Sequence, residues 1–260
     1  MRNVIVHYHM FKNAGTTVDA ILRRHFPKSW ATFDLDNAGA YIDQDTLVDF
    51  IDSNPSTQCV SSHQARPPAP ERTSLSIYPI LFLRHPIDRI YSIYHYLKRL
   101  PDTSGQRPAV TMAKTSSLAD FLHWRLKEEH GAVIRNFQTV FLSGSTGQIR
   151  LATATVADFE KARFLISSLQ FFGLVECFEA SIKRMGNYLS PAFGEIDLTF
   201  SALNSNPARK PQLEDRLRDM EAEIGQPLFQ RLLEENQYDI ELHSFAKKVF
   251  IERHQLEAHQ

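Results

Sequence analysis

Asn3-Val-Ile-Val-His-Tyr-His-Met-Phe-Lys-Asn-Ala-Gly-Thr-Thr-Val-Asp-Ala-Ile-Leu-Arg-Arg24 is the stretch on which the fold turns. Its first six residues are β-rich and short, as a buried strand would be. Thr17 to Arg24 carry the spacing of an amphipathic helix. A turn of Lys, small residues and one Gly joins the two. In such a strand-loop-helix unit the first N–H groups of the helix point out without partners, the helix dipole adds partial positive charge, and Gly15 lets the loop wrap closely around an anion. Thr16 and Thr17 add hydroxyl donors, and Lys12 adds a mobile ammonium for charge that develops during group transfer. The Walker A spacing is absent, because Lys12 precedes Gly15 and no earlier glycine stands before it.

A second segment, Leu83-Arg-His-Pro-Ile-Asp-Arg-Ile-Tyr-Ser92, follows a second apolar run, Tyr78-Pro-Ile-Leu-Phe-Leu83. Pro86 sits where a helix would start, pre-set in φ. Arg84 would then end a strand and Ser92 lie two helical turns inward, both at the edge of a parallel sheet where ligands bind. The plain alternative is that Arg84 and Asp88 form a surface ion pair at a helix start.

Both segments resemble the sulfotransferases that use 3′-phosphoadenosine 5′-phosphosulfate (PAPS), in the carbohydrate-type branch that includes the heparan sulfate 2-O- and chondroitin enzymes. The first is similar to the 5′-phosphosulfate loop, usually His-Ile-Pro-Lys-Thr-Gly-Gly-Thr-Ser. The chain keeps His9, Lys12, Gly15 and Thr16, has Thr17 for the final Ser, and departs at Phe11 and Asn13. The second is similar to Leu-Arg-Asp-Pro-x-x-Arg-x-x-Ser, with His85 for Asp. Three later strings follow the family's order. Asn136-Phe-Gln-Thr-Val-Phe-Leu-Ser-Gly144 has Val140 where Arg is common. Phe172-Gly-Leu-Val-Glu-Cys-Phe-Glu-Ala-Ser181 resembles a strand-to-helix segment. Asn236-Gln-Tyr-Asp-Ile-Glu-Leu-His-Ser-Phe-Ala246 resembles the entry to the closing helix.

The resemblance implies a PAPS-dependent enzyme that moves a sulfuryl group to a hydroxyl of a carbohydrate or glycoconjugate, with 3′-phosphoadenosine 5′-phosphate (PAP) as product and no metal required. Lys12, Asn13, Ala14, Gly15, Thr16 and Thr17 would hold the 5′ end, and Arg84 and Ser92 the 3′-phosphate. Arg209 and Lys210, after Asn204-Ser-Asn-Pro207, would clamp phosphate or else form a solvated charge pair. Cys59-Val-Ser-Ser-His63 ends a strand, placing His63 at the ligand edge as the base that takes the acceptor proton while Lys12 stabilises the leaving oxygen. Glu71 or Asp34 could serve instead. His7 and His9 share a face of the first strand and, with His63 and His85, make an imaginable metal set, but no acidic cluster accompanies them and the resembled chemistry needs no metal. Two other readings stay open: a P-loop kinase of nucleotides or sugars, and a non-catalytic nucleotide or glycan binder on the same scaffold.

With 43% hydrophobic residues among 260, the chain has material for one sizeable core, and it is read as a single domain over 1–260. Its 29 basic and 30 acidic side chains leave no global polycation for nucleic acid or an anionic membrane, so anion binding must be local. Two cysteines, Cys59 and Cys177, cannot make a disulfide framework and read as reduced core residues. No signal peptide or long apolar run is visible, so the expectation is a soluble, cytoplasmic protein, whereas relatives of the Golgi lumen carry an N-terminal anchor. The oligomeric state is open.

Strands are predicted near 3–8, 58–62, 78–84 and 171–175. Helices are predicted near 16–26, 44–53, 86–100, 117–130, 155–169, 177–190, 212–224 and 227–257, the last broken near Asn236. The alternation predicts an α/β, P-loop-like three-layer fold with a central parallel sheet flanked by helices. Residues 65–76 and 100–116, rich in Pro and small polar residues, are read as irregular loops framing the acceptor pocket.

Overall fold

Strand β1 (Arg2–Tyr8) runs inside a four-stranded parallel sheet ordered β2-β3-β1-β4, with β2 Trp30–Thr32, β3 Cys59–Ser62 and β4 Leu75–Ile80. This computed structural model describes residues 1–37, 39–101, 107–145, 154–200 and 210–257. β1 pairs on both edges, and helices pack on both of its faces, which explains its nearly unbroken apolar run. Val4, Val6 and Tyr8 face a cluster shared with α2 (Gln44–Ser53), α6 (Phe137–Leu142), α7 (Val156–Ser168) and α11 (Gln237–Glu257). Ile5 faces the opposite cluster with α1 (Gly15–His25) and α8 (Phe178–Phe193). The fold is thus α/β, a central parallel sheet with helices on both faces.

A third cluster lies beside the sheet and joins α3 (Pro86–Arg99), α4 (Pro108–Thr115), α5 (Leu118–Arg125), α9 (Leu213–Ile224) and α10 (Gln226–Glu235). No helix among the described residues is long and apolar enough to cross a membrane. Both cysteines are free; Cys59 is buried and Cys177 half-buried.

Four expectations need correction. The predicted strand 78–84 is two strands, because after Ile80 the chain leaves β1 and β5 (Phe82–Leu83) pairs with β6 (Gly173–Leu174) instead. That transfer cuts β6 to two residues, and Gly173 is required there, since a Cβ would lie 2.3 Å from Cε1 of Phe82. Residues 100–116 are not all loop: Pro108 opens α4, its missing N–H harmless at a helix start, and Val110 and Ala113 are buried beneath it. The helix predicted over 117–130 ends at Arg125 and is followed by a 3₁₀ turn, Glu128–Val133. Strand β2 and helix α6 were not predicted at all. The first has three residues and the second six, too short for a periodic signal. The break at Asn236 falls between α10 and α11 as expected.

Candidate functional site

Parallel pairing carries the C-terminal ends of the strands to one edge. Tyr8 lies opposite Ser62 and His7 opposite Ile80, so the loop after β1, His63 after β3 and Arg84 after β5 gather there. The loop is held by side chains from all around it. Arg84 donates from Nη1 to the carbonyl of Lys12 at 2.9 Å, and Arg89 reaches the carbonyl of Phe11 at 3.4 Å. Asn13 is 1% exposed and donates from Nδ2 to the Phe82 carbonyl (2.7 Å) and to Oε1 of Gln138 (2.8 Å). These anchors hold Lys12 and Ala14 at φ 66° and 62°, left-handed conformations that cost non-glycine residues roughly 1–2 kcal/mol each. Ala14 then leads into α1, whose first residues, Gly15 and Thr16, present N–H groups with no acceptor inside the helix. Thr16 is exposed and Thr17 buried.

Lys12 extends over the face of Tyr96, its Nζ 4.2 Å from the ring centre. Burial pushes its ammonium down to about 8, and the charges of Arg84 and Arg99 push the same way. Asp88, Ser92 and Tyr96 recur every four residues on α3, so Ser92 shares the face over which Lys12 lies. Arg84 does pair with Asp88 (Nε to Oδ2, 2.9 Å), but the pair is buried rather than on the surface. Asp88 also receives Arg216 of α9, at 2.8 Å.

Three histidine rings stack along the same edge. His7 and His9 lie 5.2 Å apart, and His9 and His63 4.1 Å. Asp19 of α1 accepts from Nδ1 of His7 (2.6 Å), Nδ1 of His9 (2.8 Å) and the Ser61 hydroxyl (2.7 Å). Burial alone would raise the Asp19 carboxyl, but the imidazole charges and hydrogen bonds outweigh it and hold it far below the usual range. Burial, with His7 and His63 nearby, lowers the proton affinity of His9 in spite of Asp19. Donor atoms of His7, His9 and Asp19 lie within 4.8 Å of one another, yet the arrangement is a carboxylate saturated by N–H donors, and a cation there would have to displace both. His85 is not part of this group; its ring packs edge-on against His243, 5.4 Å away. The stack touches the loop after β1 directly, because a Cβ on Gly15 would fall 2.2 Å from Cδ2 of His9.

His63 is half-exposed at the end of the stack, and its Nδ1 lies 2.9 Å from Oδ2 of Asp34. The other oxygen of Asp34 accepts from the Ser62 hydroxyl (2.9 Å) and the His63 N–H (2.8 Å). Burial would raise this carboxyl, but the bonds from His63 and Ser62 lower it on balance. Asp34, named from sequence only as a substitute base, is thus a partner of His63, and Glu71 is exposed.

Of the residues named from sequence, Lys12, Asn13, Ala14, Gly15, Thr16, Thr17, Arg84 and Ser92 come together around the loop and α3, and His63 stands beside them through His9. Asn13 contributes its side chain to the loop's anchorage rather than to its open side. Lys210 pairs with Asp219 at 2.7 Å, both half-exposed, and its backbone carbonyl receives Arg216. Arg209 lies outside the described residues. Sequence reasoning missed Asp19, Arg89, Gln138, Arg216 and Asp239. Gln138 accepts from the Arg84 N–H (3.0 Å) and donates to the Arg84 carbonyl (2.8 Å), and Asp239 caps α6 by accepting from the N–H groups of Gln138 and Thr139 (3.0 and 2.7 Å). A cleft of about 490 Å³ opens along α5, lined by Ser116, Asp120, His123, Trp124 and Lys127 among others.

No family model matches the chain. It is similar to an uncharacterized protein of Archaeoglobus fulgidus, 29% identical over 247 residues that cover 93% of this chain and 94% of the relative.

Proposed function

We propose that the chain is a PAPS-dependent sulfotransferase acting on a hydroxyl of a carbohydrate or glycoconjugate. One observation carries this reading: the first two segments meet, with the Arg84 guanidinium on the Lys12 carbonyl and the charges of Arg84 and Arg99 both acting on Lys12. Lys12 is crowded by the charges of Arg84 and Arg99, which disfavour its ammonium, so a phosphorylated ligand beside it would favour the charged form. The strand-loop-helix unit is read as a P-loop-like cradle without the Walker lysine.

In the reaction the acceptor oxygen attacks sulfur in line with the bridging oxygen, whose bond to sulfur breaks. His63 takes the hydroxyl proton and Lys12 stabilises the charge left on the phosphate. Positioning and electrostatics then do most of the catalysis, as in phosphoryl transfer. The kinase alternative wants a free carboxylate for Mg²⁺ beside the loop. Asp88 is taken by Arg84 and Arg216, and Asp19 by His7, His9 and Ser61.

The test is calorimetric titration with PAP, with ATP and Mg²⁺ as control. Binding should need no metal and weaken roughly 30- to 100-fold in Arg84→Ala, about 2–3 kcal/mol for charge-assisted bonds. Ser92→Ala, which leaves the Lys12 carbonyl held, should weaken it about tenfold. Binding of ATP alone, or none of the bisphosphate, would sink the reading.

Lys12 also sets a pH dependence. Its free-state value near 8 lies below that of an ordinary lysine, and a bound anion would raise it, so the complex holds a proton that the free protein loses. PAP affinity should be level below about 8 and fall above it by up to roughly tenfold per pH unit. Lys12→Arg, which stays charged, should flatten that fall in the same titrations.

A further inference from the structure

Orientation of His63 is over-determined. The carboxylate of Asp34 follows the short strand β2, which pairs only with β3, so the sheet itself sets Asp34 against the residue that follows β3. Oδ1 grips the Ser62 hydroxyl and the His63 N–H, which leaves Oδ2 a single direction, toward Nδ1 of His63. The flat of the ring rests on His9, whose own Nδ1 is bound to Asp19. Arg66 of the following segment donates to the His63 carbonyl at 3.1 Å, fixing the backbone from the other side.

We propose that Asp34 is a positioning residue that holds His63 in the Nδ1–H tautomer, so that Nε2, with its lone pair, is the atom that accepts the acceptor's proton. A carboxylate can only accept, so the proton between the two groups sits on Nδ1 while the ring is neutral, and the lone pair is left on the far nitrogen. As the acceptor oxygen forms its bond to sulfur and the bond from sulfur to the bridging oxygen breaks to release PAP, the hydroxyl proton passes to Nε2, and Asp34 stabilises the imidazolium without taking the Nδ1 proton. The catalytic part of this assignment rests on the sulfotransferase reading; the tautomer does not.

The experiment uses the full chain labelled with ¹⁵N-histidine and long-range ¹H–¹⁵N correlation spectra at a pH where the rings are neutral. His63 is picked out among 11 histidines by its absence in His63→Gln. The wild type should show His63 as Nδ1–H. Asp34→Asn is nearly isosteric; its amide oxygen can keep the Ser62 and backbone bonds while its NH₂ faces Nδ1, so the tautomer should switch to Nε2–H. Turnover with PAPS and a hydroxylated acceptor should fall on the order of 10²- to 10⁴-fold, as for a base locked in the wrong tautomer, with PAP affinity unchanged. Asp34→Ala should show a mixture of tautomers and an intermediate turnover. An Nε2–H ring in the wild type, or an Nδ1–H ring in Asp34→Asn, would overturn the assignment, and so would a switch that left turnover intact. A switch in a protein that neither binds PAP nor transfers sulfate would uphold Asp34's hold on the ring and overturn the functional reading instead.

Discussion

Gln138→Leu should lower the stability of the fold by about 3–6 kcal/mol and remove PAP binding with it. Leucine keeps the volume but none of the polar groups. The Gln138 amide is fully buried and makes three bonds: it accepts from Nδ2 of Asn13 and from the Arg84 N–H, and it donates to the Arg84 carbonyl. Removing it leaves two groups of Arg84 in an apolar setting without partners, and each such group costs roughly 1–3 kcal/mol. Asn13 keeps its bond to Phe82, so its share of the loss is smaller. With the Gln138 bond gone, fewer contacts oppose relaxation of Lys12 and Ala14 out of their left-handed conformations. Urea unfolding followed by circular dichroism reads the first effect and titration with PAP the second. A midpoint within 1 kcal/mol of wild type would mean that the loop is held mainly by Arg84 and Arg89.

His63→Ala should cost sulfate transfer on the order of 10²- to 10⁴-fold while leaving PAP affinity and fold stability near the wild-type values. The ring is half-exposed, so little apolar burial is lost with it, and Asp34 keeps the Ser62 hydroxyl and the backbone N–H as donors. Measured turnover and calorimetric affinity on the same preparation separate the outcomes. Loss of both would make His63 part of the binding scaffold, and loss of neither would remove it from the mechanism. Added imidazole should restore part of the rate, since the vacated space opens to solvent beside His9.

The parts of this architecture that depend on neighbours in sequence were legible, and those that depend on distant partners were not. Strand β1 and helix α1 announce themselves by periodicity, and the helix after Arg84 by Pro86. The loop after β1 and the segment around Arg84 could therefore be placed at one sheet edge. Asp34 could not be assigned to His63, because 29 residues separate them and a three-residue strand brings them together. The pairing of Asn136 with Asn236 and Asp239 spans about a hundred residues: Asn236 accepts from the Asn136 N–H, and Asn136 accepts from the Asp239 N–H. Both strings had been quoted, yet nothing in either says that it caps the other. Asn13, a departure from the resembled loop, proved to be one of its anchors only once Gln138 was beside it.

That reciprocal cap bears on how the protein is made. The loop after β1, the stacked histidines and Arg84 all precede α3, but the bonds that stiffen the loop run from Asn13 to Gln138 and on to Asp239. Synthesis proceeds from the N-terminus, so the sheet edge can form long before the helix that closes it is released. Nascent chains halted ahead of Asn236 should carry a sheet whose loop is still unset, and they should bind PAP more weakly than chains that contain α11. The stiffness of the loop thus waits on α11, far along the chain, rather than on the residues of the loop itself.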